Sequence, residues 1–376
     1  MSDSAPSLAL ATGRRPELDG LRVLLIAGVF LHHVAMPFGG DPWYVGNADT
    51  SRVLDDVMVY FEQMRLPMLF FVSGAVSWIL LLRTPRWTFA RKRLMRLLIP
   101  FAFAVLVVVP PQTYVESLPI NVSYLEAYPH LFDEWRTHHL WFIEYLAWFV
   151  VLSLPMTWLL QRPAVAAWSD RWLTRPSGLL LLGGIGVLAR VAGEWAEMDQ
   201  TMFYFCFYIA GMVLVSRPNV WRSVGAHVRT FGWALAIVSM VFYAYYFPDL
   251  SAYASEGVRW TLWWLLGAVL AGTALLASLG VAQHVLTRRR AWIESLNEMV
   301  YPFYILHQTV IVIAAYWVVQ WSAGVVPKLL GLLAISLVVT VALCVGLIRP
   351  FRVMRFLFGA GGGRKRARVD EARVVV

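Results

Sequence analysis

Apolar stretches long enough to cross a hydrocarbon layer of about 30 Å as helices recur along the whole chain. They run from about Leu21 to Phe38, Val57 to Leu82, Leu97 to Val115, Leu140 to Leu160 and Ser177 to Val191. They continue from about Met202 to Val215, Phe231 to Phe247, Trp260 to Val281, Val300 to Val319 and Leu329 to Ile348. Polar segments separate them, and the fifth and sixth are the shortest. The pattern predicts an all-α, polytopic integral membrane protein of about ten transmembrane helices.

Charge in the connecting segments alternates. One set holds Arg14 and Arg15; Arg83, Arg86, Arg91, Lys92, Arg93 and Arg96; Arg162, Arg171 and Arg175; Arg217, Arg222 and Arg229; and Arg288 to Arg290. The intervening set is acidic or nearly neutral: Asp41 and Asp49; Glu116, Glu126, Asp133 and Glu134; Glu194, Glu197 and Asp199; Asp249 and Glu256. The positive-inside rule makes the first set cytoplasmic, and an even helix count places both termini there. The expected location is the inner (cytoplasmic) membrane, crossed many times. The net charge of +9 is thus accounted for by topology, and no nucleic-acid partner is expected.

Composition agrees. With 59% hydrophobic and 15% charged residues and a mean hydropathy of +0.61, the chain has too little polar surface to cover a water-soluble globule. Eighteen Trp and fifteen Tyr suit the membrane interface. The first apolar run lacks a small-residue cleavage site, so it is expected to stay in the protein. Cys206 and Cys344 fall inside predicted spans and are expected to be free thiols. No Cys or His spacing suggests a metal. The chain divides into a cytoplasmic segment at 1–16, one membrane domain at 17–350 and a tail at 351–376. That tail combines GAGGG with RKRAR, a flexible basic extension suited to anionic lipid.

Several ionisable residues lie inside the spans. Arg22 and His33 are eleven residues apart on the first helix, which is three turns to within about 20°, so both face the same way. The step carries His33 about 16 Å deeper than Arg22, near the middle of the layer or slightly beyond. His32 points about 100° away. Glu62 and Arg65 form an i,i+3 pair on the second helix and either neutralise each other or line a polar cavity. Helix four opens with THHLWFIEYL, with His138 and His139 at the outer interface and Glu144 more than a turn deeper. Helix nine contains YPFYILHQ, where Tyr301, Tyr304 and His307 make a polar stripe.

On the cytoplasmic side, six positive residues and no acid lie between Arg83 and Arg96. Arg93 and Arg96 are one turn apart and can converge on one anion. Planar guanidinium groups bind phosphate bidentately, and coenzyme A carries a pyrophosphate and a ribose phosphate.

Together these segments resemble the membrane acyltransferase family 3. LDGLR with the Arg22 to His33 spacing is similar to that family's R/K-x10-H motif. RLPMLFFVSGA is similar to its second-helix FFxxSG segment, and Arg93-Leu-Met-Arg96 with Leu97 and Pro100 to its RxxR signature. HLWFIEYL and YPFYILHQTVIV look most like its glucan-biosynthesis branch. The resemblance runs from about Glu17 to Ile348. HLWFIEYL departs from the WSLxxE-type motif of relatives that O-acetylate surface polysaccharides. Glu144 sits at the comparable place without an assigned role. A fused extracytoplasmic hydrolase-like domain, carried by some relatives, is not expected here.

The resemblance implies O-acyl transfer from cytoplasmic acyl-CoA, acetyl-CoA or succinyl-CoA, to a hydroxyl of an extracytoplasmic or lipid-linked carbohydrate. His33 would be the essential imidazole and Arg22 its motif partner, and Arg93 with Arg96 would hold the coenzyme A phosphates. The partners would be acyl-CoA, a carbohydrate or glycolipid acceptor, and the bilayer. Acyl transfer to an alcohol needs a base for the hydroxyl proton, a role suited to imidazole, and donors for the developing oxyanion. His33 is the candidate base, Glu62 or Glu144 a candidate orienter, and Arg65, Tyr304 or His307 candidate donors. Direct attack and a transient acyl-histidine are both compatible with these residues. A transporter or flippase of a lipid-linked sugar or amphiphile would also use about ten helices and intramembrane charges. A nucleotide-phosphate site at Arg93 and Arg96 separates the two readings.

Overall fold

The structure is a computed structural model that describes residues 15–119, 122–133, 136–195, 200–288 and 290–360. The segment 1–14, residues Glu134, Glu197, Asp199 and Arg289, and the basic tail from 361 onward lie outside the described residues. Among those described there are helices and no strands. Among the described residues nine helices are long and apolar enough to cross a membrane, or ten if a bent pair counts as one span.

In chain order the helices are α1 (Pro16–Ala35), α2 (Arg52–Leu81), α3 (Arg86–Glu116, with a π-helical stretch at Ala104–Val108) and α4 (Trp141–Leu160). Next come α5 (Pro163–Trp172), α6 (Pro176–Trp195), α7 (Thr201–Ser216), α8 (Pro218–Ala226) and α9 (Val228–Tyr246). Last are α10 (Glu256–Val285), α11 (Ala291–Val318), α12 (Val325–Ala342, followed by a π-helical stretch at Leu343–Ile348) and α13 (Arg352–Leu357). Every apolar stretch of the sequence is found in a helix. Most helices run past the predicted ends, because polar residues continue the helix beyond the apolar run, as Arg52 to Asp56 do in α2.

The sixth stretch differs from a simple span. α7 and α8 meet at an angle of 100°. Pro218 follows Arg217, whose backbone is extended at φ −120° and ψ 95°, as steric conflict with a following proline ring demands. α8 is amphipathic, burying Val220, Trp221 and Val224 while Arg222 faces out. α5, another short amphipathic helix, was not evident from the apolar pattern either, since it is too short and too polar to read as a span.

Contacts divide the chain into two units. The first comprises Met1–His32, Ser51–Met95 and Phe142–Glu294; the second comprises His33–Thr50, Arg96–Trp141 and Ser295–Val376. In the first, α10 is central, packed against α2, α6, α8 and α9, while α7 packs against α2 and α6. The α2–α7 crossing is close because each helix offers a glycine. A methyl on Gly74 would lie 1.8 Å from the carbonyl oxygen of Tyr208, and one on Gly211 would lie 2.1 Å from that of Phe71. Small residues permit such backbone approach between helices in a bilayer. The Tyr208 hydroxyl then reaches across to donate to Ser77 Oγ at 2.8 Å. α9 turns Trp233, Ile237 and Met240 outward, as a lipid-facing helix does.

The second unit is organised around α11, which buries Ile305, Ile311, Val312 and Ala315. Pro110 and Pro111 in α3 have no N–H, so carbonyls one turn earlier lose helical partners. The Tyr128 hydroxyl donates to the Leu106 carbonyl, four residues before Pro110, at 2.6 Å, and Thr309 Oγ1 of α11 donates to the carbonyl of Val108 at 2.9 Å. Lys328 is buried, and its Nζ donates to Asn47 Oδ1 at 2.8 Å and to the Val319 carbonyl at 2.7 Å, tying the loop after α1 to α12. A capping box joins Ser123 and Glu126, and the Ser123 backbone N–H holds that carboxyl below the ordinary carboxylate range. At the other end of the unit, Gly359 has φ +61° and lies against Tyr301, where a methyl would approach Cε1 to 2.7 Å. Cys206 and Cys344 are both free thiols.

Gly74→Ala and Gly211→Ala are each expected to destabilise the fold by about 3 kcal/mol, since a backbone carbonyl has little room to retreat. Thermal unfolding of the detergent-solubilised protein measures this, and an unchanged midpoint would contradict the close crossing. Thr309→Val keeps the side-chain shape and removes the donor to Val108; the same measurement should show a loss of about 1 kcal/mol.

Candidate active site

His33 stands in the last turn of α1, just before the 3-10 turn Met36–Phe38. Its Nδ1 is 2.9 Å from Nε2 of His307, on α11. The rings are nearly parallel, with centroids 5.0 Å apart and an interplanar angle of 11°. His307 is 1% exposed, and its Nδ1 lies 2.5 Å from the Tyr304 carbonyl one turn earlier on the same helix.

A carbonyl oxygen only accepts hydrogen bonds, so the His307 hydrogen is on Nδ1. In a neutral His307 the Nε2 is then an acceptor, and the His33 Nδ1–H must donate to it. With both rings neutral, the lone pair of His33 resides on Nε2. The tautomer of His33 thus follows from a backbone atom through one intervening ring.

His139 is the third imidazole of the group. Its Nε2–H donates to the Ile305 carbonyl at 3.0 Å, and its ring meets that of His307 nearly edge on, with centroids 5.3 Å apart. The Tyr304 hydroxyl donates to the His139 backbone carbonyl. His139 is 5% exposed, and its Nδ1 lies buried without a hydrogen-bond partner. His138, with φ 47°, turns the chain into α4; its Nδ1 is 2.9 Å from the Tyr44 hydroxyl and its Nε2 3.1 Å from Thr113 Oγ1. Burial raises the Tyr44 phenol above its ordinary range, so it stays a neutral hydroxyl. Among the described residues no group of three or more His, Cys, Asp or Glu side chains is arranged to hold a metal.

The structure therefore brings His33 and His307 together and adds His139, which the sequence left at the interface. The Tyr304 hydroxyl donates to the His139 carbonyl and the His307 Nδ1–H to the Tyr304 carbonyl. Arg22 on α1, Glu62 and Arg65 on α2, Arg93 on α3 and Glu144 on α4 belong to the first unit. Arg65 is 7% exposed and feels the charge of Glu62, as their spacing predicts. Arg93 is half-buried, whereas Arg96, in the second unit, is exposed and donates from Nε to the Gly359 carbonyl at 3.2 Å.

Residues 15–349 match the acyltransferase 3 family, described as an acyltransferase domain. A protein named Glucans biosynthesis protein C from Escherichia coli O1:K1 is 26% identical over 252 residues, 59% of this chain and 64% of the relative. The protein of the same name from Salmonella paratyphi B is 26% identical over 254 residues, with the same shares. The alignment thus spans somewhat under two thirds of these relatives' length. No solved structure matches the chain. With the family matched from the start of α1 to the end of the last predicted span, this multi-pass helical membrane protein belongs to the acyltransferase 3 family.

Proposed function

We propose that the protein is an integral membrane O-acyltransferase moving an acyl group from acyl-CoA, acetyl-CoA or succinyl-CoA, to a hydroxyl of an extracytoplasmic or lipid-linked carbohydrate. The observation that carries this reading is the His33–His307 pair. An imidazole whose tautomer is held by a second ring is suited to general-base chemistry. The names of the relatives, which refer to glucans, favour a carbohydrate acceptor.

In this reading the acceptor hydroxyl lies against Nε2 of His33. As its oxygen attacks the thioester carbonyl carbon, the proton passes to Nε2 and negative charge builds on the carbonyl oxygen. Collapse breaks the carbon–sulfur bond, and the proton moves from His33 to the departing thiolate, releasing coenzyme A and the ester. His307 touches no reacting atom and acts as a positioning residue. Arg65, Tyr304 and His307 are the candidate donors for that oxygen. Arg93 and Arg96, with Arg22, hold the coenzyme A phosphates through charge-assisted hydrogen bonds, the reaction proceeding in the inner membrane.

Purified protein in detergent, supplied with radiolabelled acetyl-CoA or succinyl-CoA and a gluco-oligosaccharide, tests the assignment. His33→Ala should lower turnover by about 10² to 10⁴ while donor binding persists. Retained turnover in a folded variant would overturn the base assignment. His307→Ala should cost about a hundredfold or more, because the His33 tautomer is released, and His307→Gln should recover part of that through its side-chain carbonyl. Equal losses in the Ala and Gln variants would contradict a positioning role. Arg93→Ala leaves the Arg96–Gly359 contact intact and should weaken acyl-CoA binding by about tenfold. A folded wild-type protein that binds no acyl-CoA would favour a transporter.

A further inference from the structure

Within the first unit, a cavity of about 130 Å³ opens between α2, α6, α7 and α10. A single water needs about 10–15 Å³ by the same measure, so the space holds about ten waters or one ring-sized solute. Its wall combines Glu62, Gln63, Arg190, Tyr204, Trp263 and Trp264. Arg190 is 3% exposed, and its guanidinium sits 3.7 Å from the Trp264 ring centroid and 5.5 Å from that of Phe203. Such stacking fixes the cation and leaves the planar donors directed sideways. Gly267 leaves space for Gln63, since a methyl there would lie 2.4 Å from its Oε1.

All four helices contribute near the ends that adjoin the acidic segments. Glu62 and Gln63 follow Asp55 and Asp56, and Trp263 and Trp264 follow Glu256. Arg190 lies in the last turns of α6, and Tyr204 in the first turn of α7. Charge patterning assigns these ends to the extracytoplasmic side. A buried arginine among lipid-spanning helices is costly unless it serves a polar cavity.

The wall carries one acid and one base, so it has no surplus charge to select an anion. Its other polar groups are the Gln63 and Gln200 amides, which both donate and accept, and the Tyr204 phenol, whose hydroxyl donates to Gln200 Oε1 and whose oxygen accepts. Sugar hydroxyls have the same dual capacity, while the C–H faces of a pyranose suit indole edges. We propose that this cavity binds a neutral pyranose of the carbohydrate acceptor. The inference rests on the acyltransferase reading for its role in turnover, while the binding itself is independent of that reading.

The test uses the full-length protein in detergent with a radiolabelled, uncharged linear gluco-oligosaccharide, measured by equilibrium dialysis and by turnover with acyl-CoA. Wild type and His33→Ala should bind the sugar equally. Gln63→Leu and Trp264→Phe, both modest in volume, should weaken binding by about tenfold and raise the acceptor KM alike, with kcat and donor KM nearly unchanged. Turnover with unaltered acceptor KM in both variants would overturn this site and leave the acyltransferase reading standing. Sugar binding sensitive to these variants, without any acyl transfer, would support the site and remove the acyltransferase reading. A phosphorylated hexose that competes as well as the neutral sugar would overturn the assignment of an uncharged ligand, as would the absence of any sugar binding.

Discussion

A backbone carbonyl inside a hydrocarbon layer has no water to bond with, so each must find its partner within the protein. That constraint accounts for the helical architecture and also for its irregularities. Where Pro110 interrupts the ladder of α3, Tyr128 supplies a hydroxyl to the Leu106 carbonyl, and Thr309 adds one to that of Val108. The Val319 carbonyl, in the turn after α11, meets the ammonium of Lys328, which also holds the loop after α1. The same rule reaches the candidate active site, because main-chain carbonyls of α11 take the ring hydrogens of both His307 and His139. Chemistry and fold there draw on one set of acceptors.

The site contrasts with a triad in which a carboxylate orients the imidazole. A carboxylate stabilises the imidazolium formed in the reaction through its charge, whereas a neutral second imidazole fixes the tautomer with less electrostatic pull. It also avoids placing another full charge in a low-dielectric region, which is expensive. The proposed thioester donor has a thiolate leaving group, which makes a smaller demand on general catalysis than an amine would.

Much of the fold was legible from apolar spacing alone, since every predicted stretch lies in a helix. α5 and α8 were not, because a helix lying along a bundle need not be apolar all round. At the site, His33 and His307 were visible as polar residues on apolar helices, but their contact joins residues 274 apart in the chain and no local period encodes it. His139 was passed over as an interfacial residue, although its place at the start of α4 brings it against α11. Arg190 gave a stronger signal. It is a charge inside the stretch GGIGVLARVAG, and an arginine within an apolar span warrants attention by itself. Gly74 was read only as part of a motif, and its reason, the carbonyl of Tyr208 against it, appears once α2 and α7 are packed.

The Tyr304 carbonyl that holds the His307 ring is supplied by the main chain. Every amino acid brings that oxygen, so the device that sets the tautomer cannot be deleted by changing the residue at 304 while α11 stays helical. Replacement of the Tyr304 side chain would release the His139 carbonyl from its hydroxyl but leave the anchor of His307 in place. Heritable variation around His307 is thereby split into two kinds: changes in side chains, which adjust shape and access, and changes that break the helix, which release the ring itself.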